Sequence, residues 1–259
     1  MVLGLFTNRR REKLKLEKAP SEWVEILERN FDLFNRLTPA DQKELLGHIQ
    51  VFLDEKYFEG CGGLVLTDEI RVTIAAQACL LLLHRDTDYY PDLTSILVYP
   101  TGYTAQESRY LGGGVWEEGP EDRLGHTAHG LRALVLAWDA ARHGAMNPVD
   151  GENVVLHEFA HQLDFENNRA DGTPDLETRG EYESWSRVMS AEFEQLRRSI
   201  PYDYDAVLDI YGAQNPTEFF AVATEAFFET PRALKSKHPE LYGALQRYFR
   251  QDPVTYSAE

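Results

Sequence analysis

Cysteine is scarce in this sequence, which has only Cys61 and Cys79 among its 259 residues. Two isolated cysteines exclude a disulfide framework and a zinc site built from four cysteines. Long apolar runs are missing as well, because the longest nearly uncharged stretch, residues 72–83, is too short to cross a bilayer. The first residues do not resemble a secretory signal, since no apolar segment follows the early positive charges. We therefore expect a cytoplasmic chain.

Positive charge is in deficit. The sequence holds 26 Lys and Arg against 43 Asp and Glu, a formal net charge of −17. Because nucleic acids and anionic membranes are bound through basic surfaces, we expect direct binding to neither. Lysine and arginine outnumber the acidic residues in residues 1–19, which predicts a flexible basic arm. Since 43% of the chain is hydrophobic, residues 20–259 are expected to form a single domain, with a helical part, 20–60, packed on it.

Hydrophobic periodicity predicts helices over most of the chain. Apolar residues recur at helical spacing in residues 21–37, and Thr38 with Pro39 marks the start of a second helix that runs to about residue 55. Thr67 caps a third helix, whose apolar run at 74–83 indicates a central place in the core. Further helices are predicted over 153–164, 179–198, 215–229 and 239–250, strands over 95–99 and 134–138, and loops at 112–114 and 119–120. This order favours an α+β fold that is mostly helical with a small sheet.

One segment of the predicted helix 153–164 carries chemistry. It reads His157-Glu158-Phe159-Ala160-His161, the H-E-x-x-H pattern of zinc peptidases. Two residues four apart on a helix differ by about 40° of rotation and about 6 Å of rise, so both imidazoles face one way and can bind one Zn²⁺. Glu158 lies about 100° around the helix from His157, where it can take a proton from a water on the metal.

The residues alone leave the third metal ligand open. A metzincin would need glycine at position 164 and histidine at 167, but the chain has Asp164 and Asn167, which excludes that class. A faint aspartate-zincin pattern ends at Asp175. Downstream, Asn215 and Pro216 begin a helix that places Glu218 in its first turn and Glu225 two turns later on the same face. A carboxylate on such an apolar helix requires a partner, and zinc is one candidate.

Several segments together resemble the Mlc titration factor A family of zinc peptidases. They are residues 60–64, 74–81, 157–164, 170–174 and 215–222, and the similarity covers most of residues 20–250. The family is similar to the catalytic domain of anthrax lethal factor, which has a zincin-like, gluzincin fold. The resemblance implies that one zinc ion per chain is held by His157, His161 and Glu218. It further implies Glu158 as general base and Tyr211, seven residues before Glu218, as a hydrogen-bond donor in the transition state.

One stretch departs from the family pattern, which usually has Gly-Glu-(Ser/Ala)-Trp before the strand that ends at Trp138. Here residues 125–130 read Gly-His-Thr-Ala-His-Gly, and that strand is expected to form the substrate-binding edge. His126 and His129 are therefore interpreted as exposed loop residues, with a second metal site as the alternative. Asp164 either orients a ligand imidazole or is a surface acid at the end of the helix. Glu225 either supports Tyr211 or a ligand, or is structural.

Three functions fit these residues. A zinc metallopeptidase that acts on a peptide or protein substrate is favoured, because a pure binding protein needs no general base such as Glu158. Endopeptidase and aminopeptidase action both remain open. The second function, implied by the resemblance, is a protein that sequesters a glucose-responsive transcription repressor, with or without peptidase activity. The third, a structural zinc protein, normally has four protein ligands, and only three are found.

Overall fold

The computed structural model describes the backbone of residues 2–112, 115–123, 125–128, 132–167, 169–199 and 207–256. Side chains are described for residues 7–102 and for those of these residues that follow position 131. The helices are α1 (Val2–Leu16), α2 (Ser21–Asn30), α3 (Asp32–Arg36), α4 (Pro39–Glu55), α5 (Asp68–Leu80), α6 (Trp138–Met146), α7 (Val154–Phe165), α8 (Arg179–Ser199), α9 (Pro216–Glu229), α10 (Pro231–Lys237) and α11 (Pro239–Phe249). The strands are β1 (Tyr57–Gly60), β2 (Ser95–Tyr99), β3 (Tyr103–Gly112), β4 (Val115–Arg123), β5 (Gly125–Ala128) and β6 (Ala133–Ala137). The predicted α+β class, mostly helical with a small sheet, is therefore confirmed.

The main sheet has the order β1-β2-β6-β5. The first three strands run parallel, and β5 pairs antiparallel with β6 at the end of the sheet. All five residues of β6 are buried, as expected for an interior strand that is covered on both faces. Strands β3 and β4 form a separate antiparallel pair. Consequently Gly119 and Pro120 lie within a strand and not in the predicted loop.

The N-terminal segment differs from the flexible arm expected for residues 1–19. Residues Val2–Leu16 are helical, and α1 contacts α4. Arg11 donates hydrogen bonds to Glu55 at 2.7 Å and to Asp88 at 2.6 Å. Its charge complements the acidic end of α4, and the carbonyl of Leu14 accepts a hydrogen bond from the Gln50 side chain at 3.0 Å. Opposite charge therefore gives the basic segment a binding surface on the acidic body.

Element boundaries follow the capping residues closely. The side chains of Thr38, Thr67 and Asn215 each accept a hydrogen bond from a backbone N–H in the first turn of the following helix, as their positions predicted. The single helix predicted over 21–37 is wrong, because the extended backbone of Phe31 separates α2 from α3. The ring of Phe31 is fully buried, so core packing overrides the helical periodicity there. The strand predicted to end at Trp138 ends one residue earlier, and Trp138 begins α6.

The core brings the site-bearing helices together. Every residue of α5 from Val72 to Leu80 is buried, which confirms the central helix that the sequence predicted. Helices α5 and α9 both contact α7, and β5 contacts α7 as well. Within the described residues, we find no helix that is both long and apolar enough to span a membrane.

Candidate metal centre

Helix α7 fixes the two histidines of the H-E-x-x-H segment. Asn153 caps the helix, and its side-chain oxygen accepts hydrogen bonds from the backbone N–H groups of Val155 at 3.1 Å and Leu156 at 3.0 Å. His157 follows one turn later and His161 one turn after that, so both imidazoles project from the same face. Glu158, on the adjacent face, is 6% exposed.

Helix α9 brings the candidate carboxylate from the downstream segment. The side chain of Asn215 accepts a hydrogen bond from the backbone N–H of Glu218 at 3.0 Å, and Pro216 occupies the first turn. Because α9 packs against α7, this cap directs Glu218 toward the two histidines. The sequence predicted the helix start correctly, and the start determines where the carboxylate lies.

Three ligand-type atoms converge at the contact between α7 and α9. Nε2 of His157 lies 3.1 Å from Nε2 of His161 and 3.0 Å from Oε2 of Glu218, and the remaining distance, from His161 to Glu218, is 3.4 Å. Bonds of about 2.0–2.1 Å to a tetrahedral zinc ion would place its ligand atoms about 3.3 Å apart. Two imidazoles and a carboxylate are also a typical catalytic zinc donor set, so these residues fit the metal.

The electrostatics of the cluster indicate how strongly it attracts a positive charge. Burial disfavours the charged form of His157, but hydrogen bonds with Glu218 and Glu225 outweigh it and raise the pKa of His157 to about 10. Burial likewise disfavours the Glu218 carboxylate, yet its contacts with His157 and His161 lower the pKa of Glu218 to about 2. The cluster thus holds a carboxylate that requires a cation beside it, either a proton on an imidazole or a metal ion.

A second carboxylate supports the first histidine from behind. Glu225 lies two turns after Glu218 on α9, and its Oε1 is 2.7 Å from Nδ1 of His157. Its other oxygen accepts a hydrogen bond from the backbone N–H of Asn153 at 2.5 Å. A bond from Nδ1–H to Glu225 leaves the Nε2 lone pair of His157 free to face a metal. The sequence left the role of Glu225 open, and the structure places its carboxylate against a candidate ligand, His157.

Tyr211 lies beside His157 and is partly exposed to solvent. It belongs to a short 3-10 helix, Ile210–Ala213, whose backbone is held by a hydrogen bond from the Tyr211 N–H to Asp209 at 2.6 Å. The Tyr211 ring is 5.9 Å from the His157 ring, measured between centroids. Tyr211 is 48% exposed, so it borders both the cluster and the solvent.

Other candidates lie elsewhere. Asp175 is exposed and accepts a hydrogen bond from the Tyr182 hydroxyl at 2.9 Å, so it is not part of the cluster. Asp164 is not a surface acid: it is completely buried and accepts a hydrogen bond from the backbone N–H of Gly172 at 2.9 Å. Burial raises the pKa of Asp164.

The altered segment before β6 also differs from its interpretation. His126 lies in β5 and not in a loop, although its side chain is outside the described residues, as is all of His129. The end strand beside α7 is β5, since β6 pairs on both sides. The sequence of β6 did not indicate that this strand pairs with β5 as well as with β2. A further group of potential ligands, Asp41, Glu44 and His84, was not predicted, because His84 is far along the chain from Asp41 and Glu44, which both belong to α4.

Sequence comparison shows which known proteins the chain is similar to. Residues 5–250 match the sequence profile of the family described as glucose-regulated metallo-peptidase M90. An uncharacterized protein of Synechocystis sp. is 38% identical over 245 residues, which cover 95% of this chain and 89% of that protein. The Mlc titration factor A of Serratia proteamaculans is 30% identical over 224 residues, 84% of each chain. The protein of the same name from Yersinia pestis is 26% identical over 249 residues, 90% of this chain and 86% of its own.

Proposed function

The chain belongs to the M90 family of glucose-regulated metallo-peptidases, and from that premise we propose that it hydrolyses peptide bonds at a zinc ion held by His157, His161 and Glu218. The observation that carries the proposal is the convergence of three donor atoms within 3.0–3.4 Å of one another on two packed helices. A zinc ion bound there would lower the pKa of a water toward 7 and polarise the substrate carbonyl.

Glu158 is the proposed general base. It follows His157 directly on α7, so its side chain projects about 100° away from the face that carries the histidines and does not compete for the metal. The carboxylate accepts the proton of the attacking water and passes it to the leaving amine. Burial of Glu158 to 6% exposure limits access of bulk water to that proton.

Tyr211 is the proposed donor to the developing oxyanion. Its ring lies near that of His157, and the residue is partly exposed to solvent. The phenol hydroxyl donates a hydrogen bond to the carbonyl oxygen as negative charge accumulates there, so it acts more strongly on the transition state than on the bound substrate.

The zincin-like, gluzincin architecture is part of the proposal. The H-E-x-x-H helix α7, the glutamate helix α9 packed against it, and the end strand β5 in contact with α7 support that assignment. The remaining side-chain exposure of His157 and Glu218, 15% and 18%, leaves a path by which a peptide can reach the cluster.

A second candidate function is the capture of a transcription repressor. It rests on the name of the Serratia and Yersinia relatives, Mlc titration factor A. A repressor acts on DNA inside the cell, so this function requires a cytoplasmic chain. It does not require Glu158 as a proton acceptor, and the two functions are therefore separable by substitution.

The decisive experiment measures zinc content and peptide hydrolysis on the same preparations. We expect about one zinc ion per chain in the wild type and cleavage of a peptide library followed by mass spectrometry. His157→Ala is expected to lose zinc. The control is His143→Ala, which replaces an exposed histidine on α6 and is expected to retain zinc. Undiminished zinc in His157→Ala would contradict the site. Cleavage of N-acetylated peptides indicates endopeptidase action, and their resistance beside cleaved free peptides indicates aminopeptidase action.

A further inference from the structure

Gly172 lies in the segment between α7 and α8, and its backbone forms a hydrogen bond with each of these helices. Its backbone N–H donates to Oδ2 of Asp164, at the end of α7, at 2.9 Å. Its carbonyl accepts a hydrogen bond from Nε1 of Trp185, on α8, at 3.0 Å. Asp164 is completely buried and Trp185 is 4% exposed, so both contacts are shielded from water. Buried hydrogen bonds of this kind restrict the position of the peptide unit that they hold.

The other side of Gly172 lies against the start of α9. A Cβ atom added to Gly172 would be 2.3 Å from the carbonyl oxygen of Pro216, about 1 Å short of ordinary van der Waals contact. The φ angle of Gly172 is +74°, a conformation that favours glycine. Only a residue without a side chain therefore lets the loop and the first turn of α9 approach this closely.

These contacts link the two halves of the candidate metal centre. Asp164 is one turn after His161 on α7, and Pro216 is two residues before Glu218 on α9. We propose that Asp164 and Gly172 are positioning residues: together they set the separation of α7 and α9 at which His161 and Glu218 can share one metal ion. This inference rests on the proposed function, because it concerns the affinity of that same site.

Zinc affinity is expected to be sensitive to a substitution at Gly172, because metal–ligand distances tolerate only small changes. Ligand distances in zinc sites hold within about 0.2 Å, whereas a methyl group at Gly172 requires a shift of about 1 Å from Pro216, two residues from the ligand. Loss of outer-shell support typically weakens metal binding about 10–100-fold. We expect a loss of that size in Gly172→Ala.

Two glycines supply matched controls. Gly63 has nearly the same backbone, φ +82°, but a Cβ there meets no atom within 4 Å in the described part of the chain. Gly63→Ala thus reproduces the backbone strain without the contact. Gly180→Ala adds a methyl group in the first turn of α8, where the described residues likewise offer no neighbour within 4 Å. The φ angle of Gly180 is outside the left-handed region, so this variant adds a methyl group without backbone strain.

The experiment measures the zinc dissociation constant of each folded apoprotein by competition with a chromophoric chelator, and its urea unfolding without metal. We expect Gly172→Ala to bind zinc about 10–100-fold more weakly than wild type. Gly63→Ala is expected to lose stability but to bind zinc within about twofold of wild type, a difference of about 0.4 kcal/mol in binding free energy. Equal zinc constants for Gly172→Ala and Gly63→Ala would overturn the inference.

A second pair of variants covers the case in which Gly172→Ala does not fold. Asp164→Asn keeps an oxygen that can accept the Gly172 N–H, whereas Asp164→Ala removes it. We expect the asparagine variant to keep most of the zinc affinity and the alanine variant to lose it; equal affinities would contradict the positioning role. If the proposed function itself is wrong, the result differs: His157→Ala then binds zinc with the same dissociation constant as the wild type.

Discussion

Oε1 of Glu225 and Nδ1 of His157 lie 2.7 Å apart, which joins α9 to α7 directly behind the candidate metal centre. The same carboxylate accepts a hydrogen bond from the backbone N–H of Asn153, the residue that caps α7. One side chain therefore orients a ring and secures the start of the helix that carries it. Burial raises the pKa of Glu225, and the contact with His157 opposes that effect.

Removal of this carboxylate is expected to weaken the metal site. Glu225→Ala leaves both the His157 ring and the Asn153 N–H without their partner, so we expect zinc affinity to fall about 10–100-fold. The unpaired N–H adds about 1–3 kcal/mol of destabilisation. Glu225→Gln keeps one acceptor and should lose less of both. The measurement is zinc competition and urea unfolding, with the exposed Glu240→Ala as control; equal zinc binding in all four proteins would refute the supporting role.

Glu158 and Tyr211 are expected to affect the rate of hydrolysis and not the metal content. Glu158→Gln keeps size and polarity but cannot accept a proton, which typically lowers the rate about 10²–10⁴-fold. Tyr211→Phe loses only the donor hydroxyl, and loss of one oxyanion donor typically lowers kcat about 10²–10³-fold. Steady-state kinetics with zinc analysis of the same samples checks both. Full activity in zinc-loaded Glu158→Gln would exclude Glu158 as the general base.

The parts of the fold that the sequence predicted well are those fixed by local signals. Asn215 and Pro216 define the start of α9, and the spacing of His157 and His161 defines a helix face. These signals act within one turn, so their interpretation requires no tertiary contact. Together with the family resemblance, they identify Glu218 as the third candidate ligand.

The parts that the sequence did not predict depend on contacts between distant segments. Asp164 was interpreted as a surface acid or an imidazole partner, because nothing local indicates that Gly172 folds back onto it. The break at Phe31 comes from burial of its ring, which no periodicity reveals. The basic residues of α1 were expected to be mobile, because the acidic groups they meet, such as Glu55, are far away in the sequence.

Arg11 tests the attachment of α1 to the body. It pairs with Glu55 and Asp88 and lies over the Tyr89 ring, 4.9 Å from its centroid. Its side chain is only 12% exposed, so we expect Arg11→Ala to reduce the free energy of unfolding by about 1 kcal/mol. Arg9→Ala, an exposed change on the same helix, should remain within about 0.5 kcal/mol of wild type. If urea unfolding does not distinguish the two variants, α1 is an unattached arm after all.

A buried acid near the start of α7 makes stability depend on pH. Glu229, at the end of α9, is 4% exposed, and its Oε2 accepts a hydrogen bond from the Gly151 N–H at 3.1 Å. Burial, and next the repulsion from Glu225 and Asp150, raise the pKa of Glu229 from about 4.5 to about 9, although the Asn153 side chain opposes the shift.

Between these two values the folded state holds a proton on Glu229 that the unfolded state releases. The stability that this proton provides is complete below about pH 4.5 and is lost as pH rises toward 9, by at most about 1.4 kcal/mol per pH unit. Glu229→Gln is neutral at every pH and keeps the acceptor for Gly151, so we expect it to match wild type near pH 5 and to exceed its stability increasingly from pH 6 to 9. Urea unfolding across that range measures the difference, with the exposed Glu25→Gln as control. A constant difference between Glu229→Gln and wild type at all pH values would contradict the raised pKa of Glu229 in the folded protein.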